Sequence, residues 1–197
     1  MKGKYVVFEG LDGAGKTTLL RGVSENLVAA DNIVFVLEGY AEKRVKEAIK
    51  QELLKVQPDQ KYLALLFAAD RMKQMELIKE KQYQQDIMIL SSRSYISSLV
   101  YQTAVSDLSV VWIETLNKYC IEPDVVVFCD ISVEEASNRI KERNNVPDGF
   151  ENTEFLTQVK ANYDVILKNF AGKVFSVDME KPIFENVQKT TNFLLGV

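Results

Sequence analysis

Five short, nearly unbroken apolar runs recur along the chain: KYVVF at 4–8, IVFVL at 33–37, DIMILS at 86–91, DVVVFCD at 124–130 and KVFSV at 173–177. Runs of this length without polar alternation predict strands buried on both faces, as in a parallel sheet. The stretches between them carry apolar residues at helical spacing. They predict helices near 16–30, 41–56, 59–83, 94–106, 109–119, 133–144, 152–170 and 183–195. Pro58 and Pro123 fall at element boundaries. Strand and helix alternate throughout, so the expected class is α/β, with a five-stranded parallel sheet flanked by helices. No repeat, low-complexity tract or linker breaks the pattern, and 197 residues suit a single domain spanning 1–197. The segment 144–151, NNVPDGFE, is the most loop-like stretch. Ligands of such sheets bind beyond the carboxyl ends of the strands, so the residues just after each run matter most.

Composition narrows the chemistry. A net charge of −4 speaks against a general nucleic-acid binder. No apolar run approaches the length that spans a bilayer, and no leader precedes the first strand run. The cytoplasm is therefore the expected compartment, with no membrane partner. Two cysteines, Cys120 and Cys129, make no disulfide framework and no metal spacing. Histidine is absent, which excludes His-based acid–base catalysis, His triads and His metal sites. Carboxylates, cations and a bound metal are what remain.

The first strand run ends in Gly10-Leu11-Asp12-Gly13-Ala14-Gly15-Lys16-Thr17, followed by Thr18. This fits G-x-x-x-x-G-K-[ST], a pattern that a chain of this length matches by chance on the order of 1% of the time. The glycines let successive N–H groups point inward at a phosphate chain, and the following helix adds its positive dipole end. Lys16 supplies a mobile charge for the outer phosphates, and Thr17 offers a hydroxyl to Mg²⁺. The expectation is a nucleoside triphosphate site.

The other strand ends carry further candidates. Glu38 follows the second run, Ser92-Arg93-Ser94 the third, and Asp130 closes the fourth. Arg93 is placed to grip a second phosphate bidentately, or else to pair with an acid at the strand end. On helix 59–83, Phe67 and Arg71 lie four apart and share a face. A ring beside a guanidinium suits a nucleobase, although a Phe on such a helix also suits the core. Ser94, Ser97, Ser98 and Tyr101 repeat at helical spacing, giving a small polar face open to a ligand or to water. Arg139, Lys141 and Arg143, then Asp148 and Glu151, read as a lid near 139–151 or as a solvated charged helix.

Taken in order, these blocks resemble thymidylate kinases of the bacterial and archaeal kind, members of the P-loop nucleoside monophosphate kinase family. FEGLDGAGKTT is similar to the family's phosphate loop, LLFAADR to its base-binding helix, and SRSYISSLVYQ to the segment that usually opens Asp-Arg-Tyr. PDVVVFCDIS with the EEA that follows is similar to its fourth strand. R-x-x-x-R, D-x-F-E and Tyr163 are similar to its lid and the helix beyond. The resemblance implies a three-layer fold with sheet order 2-3-1-4-5, transfer of the γ-phosphoryl group of ATP to dTMP, and a homodimer. It implies that Gly10, Gly13, Ala14, Gly15, Lys16, Thr17, Thr18 and Arg139 hold ATP, and that Thr17 and Asp12 serve Mg²⁺. Asp12 would also contact the deoxyribose, Phe67 would stack on thymine and Arg71 would bond its polar edge. Arg93 would hold the acceptor phosphate and Tyr101 would crowd the sugar's 2′ position. Glu38, Tyr40, Ser97, Ser98 and Gln102 complete the implied substrate site. Ala14 suits the branch whose catalytic arginine comes from the lid, which puts weight on Arg143 beside Lys16 and Arg93.

The chain departs from the family pattern in three places. Ser92 stands where an aspartate is usual, Ser94 where a tyrosine is usual, and Leu37-Glu38-Gly39-Tyr40 replaces a loop that usually carries an arginine. Lys43 or Arg44 is available to substitute for that arginine. Three rival readings follow, the first being another nucleoside monophosphate kinase with a different acceptor base. A deoxynucleoside kinase would need a carboxylate base for a neutral sugar hydroxyl, and Glu38 is suitably placed. A P-loop protein that binds nucleotide for regulation or assembly would need no acceptor at all.

Overall fold

The computed structural model describes residues 3–84, 86–104, 108–143 and 153–197, without the side chain of Arg143. Strands β1 (Lys4–Gly10), β2 (Ile33–Leu37), β3 (Ile87–Ser92), β4 (Val125–Asp130) and β5 (Lys173–Asp178) form one sheet in the order β2-β3-β1-β4-β5. All four pairings are parallel. The helices are α1 (Lys16–Ala29), α2 (Lys43–Leu53), α3 (Gln60–Gln82), α4 (Tyr95–Gln102), α5 (Val110–Asn117), α6 (Val133–Arg143), α7 (Thr153–Lys168) and α8 (Ile183–Leu195). Parallel strands need crossover connections, and these helices supply them. No helix among the described residues is long and apolar enough to cross a membrane.

Local chemistry sets the helix starts. The Asp59 carboxylate accepts from the Lys61 and Tyr62 amides at 2.9 and 3.1 Å, opening α3. Ser94 Oγ accepts from the Ile96 amide at 3.1 Å, opening α4. Each satisfies an amide the first helical turn leaves orphaned. β1 runs two residues beyond its apolar stretch because β3 and β4 pair it on both sides as far as Phe8↔Ser92 and Gly10↔Cys129.

The expectation of two-sided burial holds for β1, β3 and β4 and fails for β2 and β5. Those two are the sheet edges, and Ile33, Val36 and Val174 are 58%, 37% and 40% exposed. An apolar run marks a strand but does not tell an edge from a centre. The core is built on the middle three strands, with Tyr5, Val7, Phe8, Ile89, Leu90, Val126 and Val127 all inaccessible to solvent.

This difference has a measurable consequence. Ile89 is 0% exposed and Ile33 is 58% exposed. Urea unfolding is expected to show a loss of about 2–5 kcal/mol for Ile89→Ala and less than about 1 kcal/mol for Ile33→Ala.

Candidate active site

The phosphate loop leaves β1 through backbone that only glycine adopts easily. Gly10 and Gly13 have φ of +146° and +83°. A Cβ on Gly10 would lie 2.5 Å from the Cys129 carbonyl oxygen, and one on Gly13 would lie 2.5 Å from that of Ala136. The loop is thus pressed against β4 and α6, and Gly15 caps α1. Ala14 is buried in the core, while Thr17 and Thr18 are exposed at the head of α1. Lys16 is buried, and its Nζ donates to the carbonyls of Gly10 at 3.0 Å and Leu11 at 2.6 Å. Burial pulls the Lys16 pKa down to about 8, with Arg93 acting the same way and Asp12 opposing.

A cavity of about 400 Å³ opens beside this loop, within the size range of small-molecule sites. At one end stand Asp12, Thr17, Ser92 and Arg93, and at the other Tyr40, Phe67, Arg71 and Gln74. Arg93 sits just past β3 with φ of +73°, an uncommon conformation for a residue with a side chain. Its amide donates to the Phe8 carbonyl at 3.0 Å, and Ser91 Oγ donates to its carbonyl at 2.9 Å. Its Nη2 pairs with the Asp12 carboxylate and reaches Tyr101 OH at 3.4 Å, while Nη1 donates to Ser97 Oγ at 3.0 Å. The guanidinium also lies 4.7 Å from the centre of the Tyr101 ring. Tyr101 OH donates to the Gly10 carbonyl at 3.3 Å, so one tyrosine braces both the phosphate loop and the arginine.

The far end is laid out for a flat polar ligand. Phe67 is half-buried, and Tyr40 faces it at 6.4 Å between ring centres and 22° between planes. Arg71 is buried, and Nη1 donates to Gln74 Oε1 at 2.7 Å. Gln74 Nε2 donates to Asp70 at 3.0 Å and to the Gly39 carbonyl at 3.0 Å. Asp70 accepts the Glu42 amide at 3.0 Å, which ties α3 to the loop after β2. The buried Nε of Arg71 has no hydrogen-bond partner among the described residues. A buried guanidinium donor on the wall of a cavity is a group that a ligand acceptor would satisfy.

Sequence reasoning brought together Asp12, Thr17, Tyr40, Phe67, Arg71, Arg93, Ser97, Ser98, Tyr101 and Gln102, all of which line this one cavity. Glu38 is not brought there. It is exposed and takes a bidentate hydrogen bond from Arg21 of α1, with Nε–Oε1 2.9 Å and Nη2–Oε2 2.7 Å. Asp130 is held by Lys160 Nζ at 2.5 Å. Arg139 Nε donates to Glu135 at 2.7 Å and Nη2 to the Met179 carbonyl at 2.9 Å, so it braces α6 against the end of β5. The Arg143 side chain and residues 144–152, with Asp148 and Glu151, lie outside the described residues.

Two residues were passed over. Gln74 lies one turn beyond Arg71, a spacing at which side chains meet on a helix. Glu9 follows directly on the first apolar run, still within β1, and is fully buried. Its Oε1 accepts from Ser94 N at 2.6 Å and Ser94 Oγ at 2.7 Å. Its Oε2 accepts from Ser97 Oγ at 2.6 Å and Tyr163 OH at 2.9 Å. An acid within a central apolar strand was the available signal.

Residues 8–190 match the family described as thymidylate kinase. A protein named probable thymidylate kinase from Methanobrevibacter smithii is 41% identical over 170 residues, covering 84% of this chain and 82% of its own. One of the same name from Methanosphaera stadtmanae is 34% identical over 168 residues, covering 83% and 84%. Another from Methanocaldococcus jannaschii is 32% identical over 193 residues, covering 98% and 94%. The similarity takes in the loop, the cavity and the sheet that carries both, and this chain belongs to the thymidylate kinase family.

Proposed function

We propose that this thymidylate kinase, which phosphorylates dTMP to dTDP, draws the phosphoryl group from ATP on the phosphate loop and holds the acceptor phosphate with Arg93. The observation that carries the reading is one cavity with the loop residues Asp12 and Thr17 and the guanidinium of Arg93 at one end, and Phe67 and Arg71 at the other. A nucleoside monophosphate has the same polarity, an anion at one end and a flat ring at the other. Phe67 would stack on the base and the unpartnered Nε of Arg71 would meet its acceptor edge. Tyr101, fixed by Gly10 and Arg93, would bar a 2′-hydroxyl.

The acceptor is itself a phosphate monoester with a second pKa of about 6, so it is largely dianionic at neutral pH and needs no general base. The chain's task is alignment and charge neutralisation. Arg93 would position the acceptor and Lys16 would meet the donor phosphates, while the resemblance alone assigns Arg139 and Arg143 to the donor side. Thr17 and Asp12 offer hard oxygen donors of the kind that hold Mg²⁺ together with substrate phosphates. When bound, the ion screens the charge shared between donor and acceptor. A cytoplasmic address is carried into this reading from the sequence pattern, and a homodimer from the family resemblance alone.

The deoxynucleoside kinase reading asks Glu38 to act as a base, and its bidentate pairing with Arg21 outside the cavity speaks against that.

Arg93→Ala is expected to lower kcat with dTMP by about 100-fold or more, while calorimetry finds ATP affinity within about threefold of wild type. Normal turnover by that variant would overturn the assignment. Glu38→Gln is expected to cost no more than about fivefold, in keeping with an exposed ion pair. Loss of activity in Glu38→Gln, together with phosphorylation of thymidine in preference to dTMP, would establish the rival.

A further inference from the structure

We infer that Glu9 is a positioning residue for the acceptor guanidinium, acting through Ser97. The inference rests on the reading that Arg93 holds the acceptor phosphate. Ser97 has a single hydroxyl proton. Glu9 Oε2 takes it at 2.6 Å, which leaves the Ser97 lone pairs to accept Arg93 Nη1 at 3.0 Å. Without the carboxylate that hydroxyl is free to turn its proton elsewhere, and Arg93 loses a fixed acceptor. Of the other partners of Arg93, Asp12 stands at the ligand end and is 41% exposed, and Tyr101 OH lies farther off at 3.4 Å. When the guanidinium takes up a phosphate, Ser97 and Tyr101 remain as its anchors on the protein side, and Ser97 makes the shorter hydrogen bond of the two.

The donors around Glu9 are counted out. Ser94 N–H and O–H, Ser97 O–H and Tyr163 O–H give four donors. A carboxylate offers about four lone-pair sites and no proton of its own. These donors come from two helices, α4 and α7, or from the cap just before α4. Glu9 lies in β1 directly before the phosphate loop, so one buried carboxylate fixes the acceptor arginine's support to the strand that ends in the donor site.

An amide in its place breaks this pattern in a defined way. The Ser94 backbone N–H cannot rotate, so the oxygen of a glutamine must face it. The NH₂ group then faces Ser97 and Tyr163. Ser97 must accept from it, and its own proton, no longer drawn to position 9, is free to turn toward the direction in which a lone pair served Arg93.

The test is steady-state kinetics on Glu9→Gln, Ser97→Ala and the double variant, with ATP affinity from calorimetry and thermal melting alongside. Each single variant is expected to lower kcat/KM for dTMP about 10- to 100-fold, the range for losing a hydrogen bond to a charged group. ATP affinity is expected to stay within about twofold of wild type. The double variant is expected to be no worse than the poorer single one, because both break one chain of contacts. Unchanged kcat/KM for dTMP in Glu9→Gln overturns the inference. So do a parallel loss of ATP affinity and a multiplicative double variant. Glu9→Asp, which keeps the charge and shortens the reach, is read in the same way if Glu9→Gln does not fold. Arg93→Ala separates the two levels. Normal turnover there removes the reading beneath, whereas an inactive Arg93→Ala beside a fully active Glu9→Gln removes this inference alone.

Discussion

The register between β1 and β3 is the constraint on which the site depends. Phe8 lies opposite Ser92, and the Arg93 amide closes the ladder on the Phe8 carbonyl at 3.0 Å. From that point the two chains diverge, one into the phosphate loop and the other into α4. A slip of one residue would turn each β3 side chain to the opposite face and carry Arg93 away from Asp12. Five matched pairs along β1 and β3, with Val6, Val7, Ile89 and Leu90 fully or nearly fully buried on both faces, make such a slip costly. The geometry of the two anion sites is therefore set by core packing, in a part of the sheet that ligands never touch.

Charge is distributed within this frame with little excess. Among the described residues, Arg71 and Arg93 are the cations that line the cavity and Lys16 stands on the adjoining loop, and each is engaged by the protein itself: Lys16 by loop carbonyls, Arg71 by Gln74, Arg93 by Asp12 and Ser97. Side chains held this way lose less freedom when a ligand arrives than free ones would. A phosphate replacing Asp12 on Arg93 exchanges one anion for another. The aromatic end works differently, since Tyr40 and Phe67 offer faces to a ring whose polar edge the guanidinium of Arg71 can meet.

Much of this was legible in the sequence because strong local signals and the tertiary outcome agreed. Unbroken apolar runs became strands, Asp59 and Ser94 became caps, and the glycine spacing became a loop whose φ values demand glycine. What was not legible depended on contacts distant in the chain. Glu38 follows a strand as a site residue should, yet Arg21 of α1 claims it. Ser97 is on the expected polar face, but its proton is committed to Glu9 and its lone pair to Arg93. The role of Glu9, at the end of an apolar stretch, was not legible because its partners, Ser97 and Tyr163, are 88 and 154 residues away. β2 and β5 read like central strands because pattern records burial tendency and not position in the sheet.

Two of the three departures from the family pattern make physical sense as a pair. The resemblance leads one to expect an aspartate at position 92 and an arginine in the loop after β2. Ser92 stands at the first of these places, and the loop Leu37-Glu38-Gly39-Tyr40 at the second puts the neutral Tyr40 on the wall of the cavity. Losing only the aspartate would leave an uncompensated cation in a half-buried site, and losing only the arginine would leave an anion facing a dianionic ligand. Either would cost more than an exposed charge, because screening weakens as water is excluded. Losing both leaves the net charge of the cavity as it was. Asp12 and Arg93 then meet directly at the ligand end, with Ser97 supporting the guanidinium from the protein side.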